Sequence, residues 1–330
     1  MDLLTQGVLG AAMAQSGSRE DDMRLAAGVG FGAGLLADAD ALIYSAQDTL
    51  LTIEYHRHFT HSLLFIPVGA LLASLILWPF LRKRISFGWL YLYSLLGYSM
   101  SGLIDACTSY GTHLLWPFSD ERSAFNLVAI VDPIFTVILI SAVFMAYRHY
   151  RRKAVLVGLA LAACYLGVAF LQLQRAESAS MELAQERGHT PVRLLAKPTF
   201  GNILLWRTIY EHNGSFYVDA VRVGTGIKYY EGESIKRYQS LPTPMTVLDQ
   251  DIQRFNTFSG GYIALQPLNY NSLHDVRYSI QPDGLAPLWG IEFDPAQPGS
   301  HAKFTVYRNL TRANRQRFLA MLLGQDVEPL

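Results

Sequence analysis

The sequence lacks several features that would assign it to a common class of protein. Its 330 residues contain only two cysteines, Cys107 and Cys164, both in or beside apolar segments, so no disulfide framework is expected. Basic and acidic side chains balance at 27 each, and without a basic surplus we expect no nucleic-acid partner. Residues 1–6 have no basic stretch and carry an acid at Asp2, which does not fit a cleavable signal peptide.

Long apolar runs, in contrast, fill the first half of the chain. A helix needs about 20 mostly apolar residues to cross a bilayer. Four segments have that length: residues 62–81, 87–107, 128–147 and 154–173. Two shorter, glycine-rich stretches at 3–14 and 25–36 predict either short spans or a re-entrant hairpin. The pattern predicts a multi-pass protein in contact with the lipid bilayer.

Clusters of basic residues predict the orientation of these spans. They lie at residues 82–84 and 148–153, between the first and second and between the third and fourth predicted spans. Basic loops stay on the cytoplasmic side. The histidine-rich stretch at 56–61, the connection at 105–132 and everything after residue 173 are then expected on the outer side.

The second half of the chain has the pattern of a soluble domain. Residues 173–190 predict a helical, charged stalk between a membrane domain at 1–172 and a soluble domain at 191–330. Alternating apolar residues predict strands at 203–209, 215–222, 262–266, 276–281, 290–293 and 303–307. Helices are predicted at 243–255, beginning at Thr243 and Pro244, and at 310–323. The predicted fold class is a polytopic α-helical membrane domain followed by a small soluble α+β domain.

Three of the nine histidines, His56, His58 and His61, stand directly before the first long span. On a helix His58 and His61 share a face, whereas His56 and His61 are about 140° apart. The motif is therefore expected at a loop-to-helix junction, with Thr60 or Ser62 near the cap. Imidazole is a common zinc ligand, but interfacial histidines can also hydrogen-bond to lipid headgroups.

Acidic residues flank the apolar segments on the same predicted side of the membrane. Asp38 and Asp40 follow a glycine-rich helix, where two acids oppose the helix dipole and a pair of this spacing can chelate a divalent cation. Asp105 ends the second predicted span, and a carboxylate at membrane depth is a functional candidate.

Two further acids have a structural explanation from spacing alone. Asp132 precedes Pro133 and the third span, which is the pattern of a helix N-cap. Asp2 stands at the start of the first helix, where a negative charge is favourable. From spacing alone, helix capping explains both acids better than catalysis does.

Taken together, these residues resemble the membrane-bound metal-dependent hydrolases, also described as LexA-regulated inner-membrane hydrolases (the DUF457 group). The resemblance covers residues 2–136, with a weaker match at 198–207. It depends on the order and spacing of short pieces: residues 1–6 with 9–12, 38–40, 54–64, Asp105 with 108–112, 116–119 and 131–133.

The resemblance implies an inner-membrane protein with a metal site. Its ligands would come from Asp2, Asp38 or Asp40, His56, His61 and Asp105, and it also raises the expected importance of Asp132. One position departs from the family: a histidine usually stands four residues before the acid of the second span, and here that residue is Ser101. His58 and His113 are extra histidines, and one of them could compensate.

The leading hypothesis is a metal-dependent hydrolase at the outer face of the inner membrane. A divalent ion, preferably zinc, would be held by His56, His61, Asp105 and either Asp38 or Asp40. Among the remaining acids, Asp40 and Asp132 are the catalytic candidates. Asp2 and His58 are further candidate ligands. The location favours a lipid or lipid-linked ester or phosphoester as substrate. The alternatives are a non-catalytic anchor whose C-terminal domain binds a partner, and an ion or proton pathway.

Overall fold

The computed structural model describes residues 1–239, 245–267, 269–308 and 310–329. They form two compact units whose ranges alternate along the chain. The helical unit comprises Met1–Leu42, Tyr55–Leu171 and Phe200–Ile203; the sheet unit comprises Ile43–Glu54, Gln172–Thr199 and Leu204–Leu330. The predicted fold class, a helical membrane domain followed by a small α+β domain, is confirmed.

Helices make up most of the chain up to residue 186. In chain order they are α1 (Leu3–Ser16), α2 (Met23–Leu36), α3 (Leu51–Tyr55), α4 (Ile66–Leu81), α5 (Phe87–Ser99), α6 (Ser101–Ala106), α7 (Pro133–His149) and α8 (Arg152–Glu186). Short 3-10 helices at Ala37–Leu42, Phe59–His61 and Leu63–Phe65 connect some of them.

Glycines bring α1, α2 and α5 into backbone contact. A Cβ added at Gly10 would collide with the carbonyl oxygen of Gly30, and one added at Gly97 would lie 2.6 Å from the Cα of Gly30. Small residues permit this approach, which maximises van der Waals contact where no hydrophobic effect drives helices together. The two glycine-rich N-terminal segments therefore pack as a pair, with α5 against them.

Within the described residues, three helical runs are long and apolar enough to cross a membrane: Met23–Leu42, Leu63–Leu81 and Arg152–Glu186. The apolar helix Pro133–His149 is shorter. The predicted span at 87–107 is wrong as a single helix, because α5 ends at Ser99 and α6 starts at Ser101. The break adjoins Gly102, whose lack of a side chain lets the backbone of His61 approach.

Helix α8 is far longer than the fourth predicted span. Its 35 residues extend roughly 50 Å, beyond the ~30 Å of a bilayer's hydrocarbon core. It runs without interruption through the residues predicted as a charged stalk, and Gly188, with a positive φ of 72°, follows its end. The apolar and charged parts of this region are thus one continuous helix.

The sheet unit contains two four-stranded antiparallel sheets, each with its strands in sequence order. The first consists of β1 (Arg193–Pro198), β2 (Leu205–His212), β3 (Ser215–Val223) and β4 (Ile227–Lys236). The second consists of β5 (Ile263–Gln266), β6 (Asn269–Asp275), β7 (Trp289–Glu292) and β8 (Lys303–Val306). Buried side chains of the two sheets meet in one apolar cluster that includes Ile209, Val218 and Ala264.

One predicted strand is wrong, and three strands were not predicted. Residues 276–281 form a turn at 276–277 and an isolated bridge at Ser279 instead of a strand, because the guanidinium of Arg207 draws in the carbonyl groups of Val276 and Gln281 at 2.7 and 3.2 Å. The chain forms a strand immediately before these residues, β6, which was not predicted. Strands β1 and β4 were missed because charged residues interrupt their apolar alternation.

Two helices complete the sheet unit: α9 (Val247–Phe258) and α10 (Arg312–Leu323). The predicted start of α9 at Thr243 and Pro244 lies outside the described residues. Helix α9 is capped by Thr246, in a reciprocal capping box with Asp249. Its buried face packs with Leu50 and Ile53, so the segment 43–54 shares the core of the sheet unit.

Candidate metal centre

Two short helical turns carry the candidate ligands in the helical unit. Asp38 and Asp40 lie on the 3-10 helix that follows α2, and His61 ends the 3-10 helix Phe59–His61. As predicted, the histidine motif is a loop-to-helix junction: Ser62 caps the next turn by accepting from the Phe65 N–H at 3.3 Å.

The backbone turns sharply within the motif at Arg57, whose φ is +61°. A non-glycine residue rarely adopts this left-handed conformation, so surrounding contacts must hold it. The Arg57 N–H donates to Asp40 Oδ2 at 2.8 Å, and its carbonyl oxygen accepts from the Thr112 hydroxyl at 2.9 Å. The turn thereby separates the directions of the histidines on either side of it.

Three ligand atoms converge behind this turn. His61 Nε2 lies 3.0 Å from Asp105 Oδ2 and 3.5 Å from Asp38 Oδ1. Asp105 and His61 are 0% and 1% exposed, and the Asp38 side chain is 8% exposed. The structure thus joins residues 38, 61 and 105 into one group that could hold a metal ion.

These atoms lie at ion-pair distance, but three buried atoms of the group lack a hydrogen bond of normal geometry among the described residues. His61 Nε2, Asp105 Oδ2 and Asp38 Oδ2 are buried and form no hydrogen bond within the described part of the chain. A buried polar atom without a partner is costly, and buried native groups are nearly always paired. The arrangement therefore fits a cation placed among them: the residues present match a one-histidine, two-carboxylate metal site.

Asp40 holds His61 from the other side of the ring. Its Oδ2 lies 3.2 Å from His61 Nδ1 and accepts from the Thr60 hydroxyl at 2.5 Å. Its Oδ1 lies 3.1 Å from His56 Nδ1. A carboxylate on the far nitrogen of a ligating histidine is the usual second partner in metal sites, since it fixes the ring's orientation.

Basic groups balance part of the negative charge. Arg57 Nε lies 3.3 Å from Asp105 Oδ2, while its two terminal nitrogens donate to the Thr108 hydroxyl and the Met1 carbonyl. The amino group of Met1 also pairs with Asp105. The guanidinium is therefore fixed beside the ligand group, with its side chain 4% exposed.

The surrounding acids also change the protonation of His61. Burial by itself lowers the pKa of a histidine, but the carboxylates of Asp105, Asp38 and Asp40 raise the pKa of His61 to about 10. The ring then carries a proton at neutral pH. A divalent cation among the same oxygens would displace that proton, because metal ligation requires the neutral imidazole.

The other predicted site residues lie outside this group. Asp2 caps α1 by accepting from the Thr5 N–H at 3.0 Å. Asp132 caps α7: Oδ1 accepts from the N–H groups of Ile134 and Phe135 at 3.1 Å, and Oδ2 accepts from the Tyr165 hydroxyl at 2.8 Å. Both acids thus have the capping geometry that their spacing predicted; a catalytic or ligand role for them stays a prediction.

The two extra histidines pack against each other. The rings of His58 and His113 are 4.4 Å apart, with Trp116 beside His58. Burial, Arg122 and His58 lower the pKa of His113 to about 4. Ser101, where the family pattern has a histidine, is buried and donates to the Gly34 carbonyl at 3.3 Å.

Sequence reasoning missed Thr60 and Arg57 as members of the site. Both are neighbours of the candidate ligands in the motif, and their roles depend on the left-handed turn, for which an arginine gives no signal. Tyr98 was also missed: its hydroxyl donates to the Thr60 carbonyl at 2.8 Å and so buttresses the turn.

The apolar helices and a comparison with known proteins together give the class of this protein. The apolar helices are those of a membrane protein, and the chain belongs to the YdjM inner membrane protein family, whose model matches residues 1–176. That range includes the whole candidate centre. The protein is thus an inner-membrane protein, and the membrane part of the resemblance is confirmed; hydrolase activity stays a prediction.

One relative is similar over part of the chain. The inner membrane protein YbcI of Escherichia coli (strain K12) is 40% identical over 91 residues, which is 27% of this chain and 51% of YbcI. The chain therefore spans about half the length of this curated relative. No solved structure matches the chain.

Proposed function

We propose that the protein is a metal-dependent hydrolase whose divalent ion is held by Asp38, His61 and Asp105. The observation that carries the proposal is the convergence of ligand atoms from these three residues, of which the buried His61 Nε2 and Asp105 Oδ2 form no hydrogen bond within the described residues. Zinc is the preferred ion, since catalytic zinc sites commonly combine three protein ligands of nitrogen and oxygen with an open position.

When bound, such an ion supplies Lewis acidity and makes a coordinated water more acidic. Asp40 acts through His61: it fixes the ring so that Nε2 faces Asp38 and Asp105, with Thr60 and the Arg57 N–H holding the carboxylate in turn. Asp40 is therefore proposed as a positioning residue. The cap geometry of Asp132 favours a structural role over the catalytic one.

Location suggests the class of substrate. The histidine motif directly precedes the apolar run Leu63–Leu81, which would bring the centre near the headgroup region. Basic residues 82–84 follow α4, and basic residues 148–153 lie where α7 ends and α8 begins. These helix ends are proposed to face the cytoplasm, in a protein with several spans whose candidate centre and sheet unit are on the outer side. A lipid or lipid-linked ester or phosphoester fits such a site.

Elemental analysis of the detergent-purified full chain tests the proposal. We expect bound zinc or another divalent metal in the wild type and at least a tenfold weaker metal affinity in His61→Ala and Asp105→Asn. Asp251→Asn, a buried acid in the sheet unit, is the matched control and should retain the metal.

Trace metal that does not change between wild type and His61→Ala would overturn the proposal and favour the non-catalytic anchor. A topology reporter fused to the C-terminus tests the orientation separately. Reporter activity confined to the cytoplasm would contradict the outer placement.

A further inference from the structure

A second group of ligand atoms adjoins the first and shares one residue with it. Asp38, Asp40 and His56 each offer a ligand atom within 4.8 Å of the others, just as Asp38, His61 and Asp105 do. Asp38 is thus the common member of both groups. All five residues come from the helical unit, between positions 38 and 105.

The two oxygens of Asp38 are distinct in their surroundings. Oδ1 lies 3.5 Å from His61 Nε2, on the side of the first group. Oδ2 is buried and forms no hydrogen bond among the residues that the structure describes, although the side chain is only 8% exposed. Asp38 offers a ligand atom within 4.8 Å of those of Asp40 and His56 as well as of those of His61 and Asp105, and its Oδ2 has no hydrogen bond in the described residues, so its carboxylate is placed to bridge the two groups.

The second group is more open than the first. The His56 side chain is 27% exposed, whereas those of His61 and Asp105 are fully buried. His56 Nδ1 lies 3.1 Å from Asp40 Oδ1, the oxygen that does not hold His61. Asp40 can therefore face His56 with one oxygen while keeping its contact to His61 with the other.

We infer that the centre takes two divalent cations, one among Asp38, His61 and Asp105 and a second among Asp38, Asp40 and His56, with Asp38 bridging them. This inference rests on the proposed function. It adds to it a solvent-facing ion site, for which hard oxygens and one imidazole suit zinc or manganese. Paired divalent ions are a recurring arrangement in hydrolases, where they clamp both oxygens of the reacting group.

The competing explanation is a simple hydrogen bond from His56 to Asp40. The variant His56→Asn separates the two, since an asparagine amide can donate in place of Nδ1 but removes the imidazole. His113→Asn is the matched control, because it alters a partly buried histidine outside both groups.

The experiment is elemental analysis combined with manganese titration and electron paramagnetic resonance of the full chain in detergent. We expect two ions per chain in the wild type and His113→Asn, and one in His56→Asn and His56→Ala. Loaded with Mn²⁺, the wild type should show an exchange-coupled pair spectrum through the Asp38 bridge, and the His56 variants the spectrum of an isolated ion. Asp38→Asn should weaken both sites at least tenfold.

The outcomes distinguish this inference from the proposed function. One ion per saturated wild-type chain, or two ions in His56→Asn with an unchanged coupled spectrum, would overturn the second site and leave the proposed function intact. The absence of any bound ion would overturn both.

Discussion

Aspartate and histidine side chains gather at ligand distance in both units of the molecule: Asp38, His61 and Asp105 in the helical unit, and Asp48, Asp251 and His301 in the sheet unit. In the sheet-unit group all four carboxylate oxygens, those of Asp48 and Asp251, have a donor. Arg254 donates to Asp48 Oδ2 at 3.0 Å and to Asp251 Oδ1 at 2.8 Å. The other two oxygens accept backbone N–H groups, from Leu50 at 3.1 Å and Ala302 at 2.9 Å.

Composition and spacing therefore do not identify a metal site by themselves. The sheet-unit group is an ion-pair cluster that links the segment 43–54 and β8 to α9. The guanidinium of Arg254 supplies the positive charge that a metal ion would otherwise supply. In the helical-unit group, Arg57 lies beside the ligand atoms, and several of those atoms have no hydrogen bond in the described residues. Between these two groups, buried ligand atoms that have no hydrogen bond in the described residues, rather than buried charge, distinguish the candidate centre.

The largest expected effect comes from breaking a satisfied charge in the sheet unit. Arg207 is 3% exposed and donates to four backbone carbonyl groups, those of Val276, Gln281, Pro282 and Gly284. Arg207→Met should lower the free energy of unfolding by about 3–5 kcal/mol, because it leaves buried carbonyls and acids unpaired. Denaturant unfolding measures the loss; metal content should not change. Arg312→Met, at an exposed position, is the control. A loss of metal in Arg207→Met would contradict the claim that the helical-unit group binds metal independently of the charges in the sheet unit.

The next prediction tests whether metal binding depends on the close packing around His61. A Cβ at Gly102 would collide with the carbonyl oxygen of His61, whereas one at Gly88 would meet no atom within 4 Å. Overpacking of this kind costs about 1–3 kcal/mol, so Gly102→Ala should weaken metal binding by at least tenfold while Gly88→Ala does not. Metal titration of the two variants provides the measurement, and equal affinities would show that His61 need not be fixed.

A third prediction concerns pH and the sheet unit. Burial and, less strongly, Arg207 lower the pKa of His274 from 6.5 to about 4, and Asp275 only partly opposes this. Between these values the unfolded chain binds a proton that the folded chain does not. Stability should therefore fall by about 2 kcal/mol from pH 7 to pH 5.

Thermal unfolding of the wild type, His274→Gln and the exposed control His149→Gln, each at pH 7 and pH 5, checks this. The pH sensitivity should shrink in His274→Gln and stay in the control. Equal sensitivity in all three proteins would assign the acid effect to other groups.

The smallest effect tests the support of His61 by Asp40. Thr60→Val removes the hydroxyl that donates to Asp40 Oδ2 at nearly constant volume. Metal affinity should fall about tenfold, near the lower end for an outer-shell partner. Isothermal titration with zinc measures it, and an unchanged affinity would mean that the Arg57 N–H alone suffices to orient Asp40.

Much of the membrane half could be predicted because one physical variable, the length of apolar runs, dominates there. The length of the apolar run gave a wrong prediction at residues 87–107, because the composition stays apolar across the break between α5 and α6 at Met100. The break adjoins the close approach of Gly102 to His61, a contact between residues far apart in the sequence that the length of an apolar run does not register.

Individual site residues were harder to predict than the group as a whole. Order and spacing brought Asp38, Asp40, His61 and Asp105 together, but which acid faces which ring nitrogen depends on the left-handed turn at Arg57. In the sheet unit, the wrong strand at 276–281 has a similar origin: Arg207 imposes turns on residues whose own alternation favours a strand.

The glycine contact among α1, α2 and α5 has a consequence for ion chemistry. Asp38 follows α2 and Asp105 lies just beyond α5, so the gap between their carboxylates depends on how closely the helix backbones approach at Gly30 and Gly97. Oxygen ligands lie about 2.0–2.1 Å from magnesium and 2.3–2.6 Å from calcium, a difference smaller than one methyl group. In the proposed centre, the helix packing would therefore set the size of the cation that fits, and a methyl added at Gly30 or Gly97 should shift the preference toward larger cations.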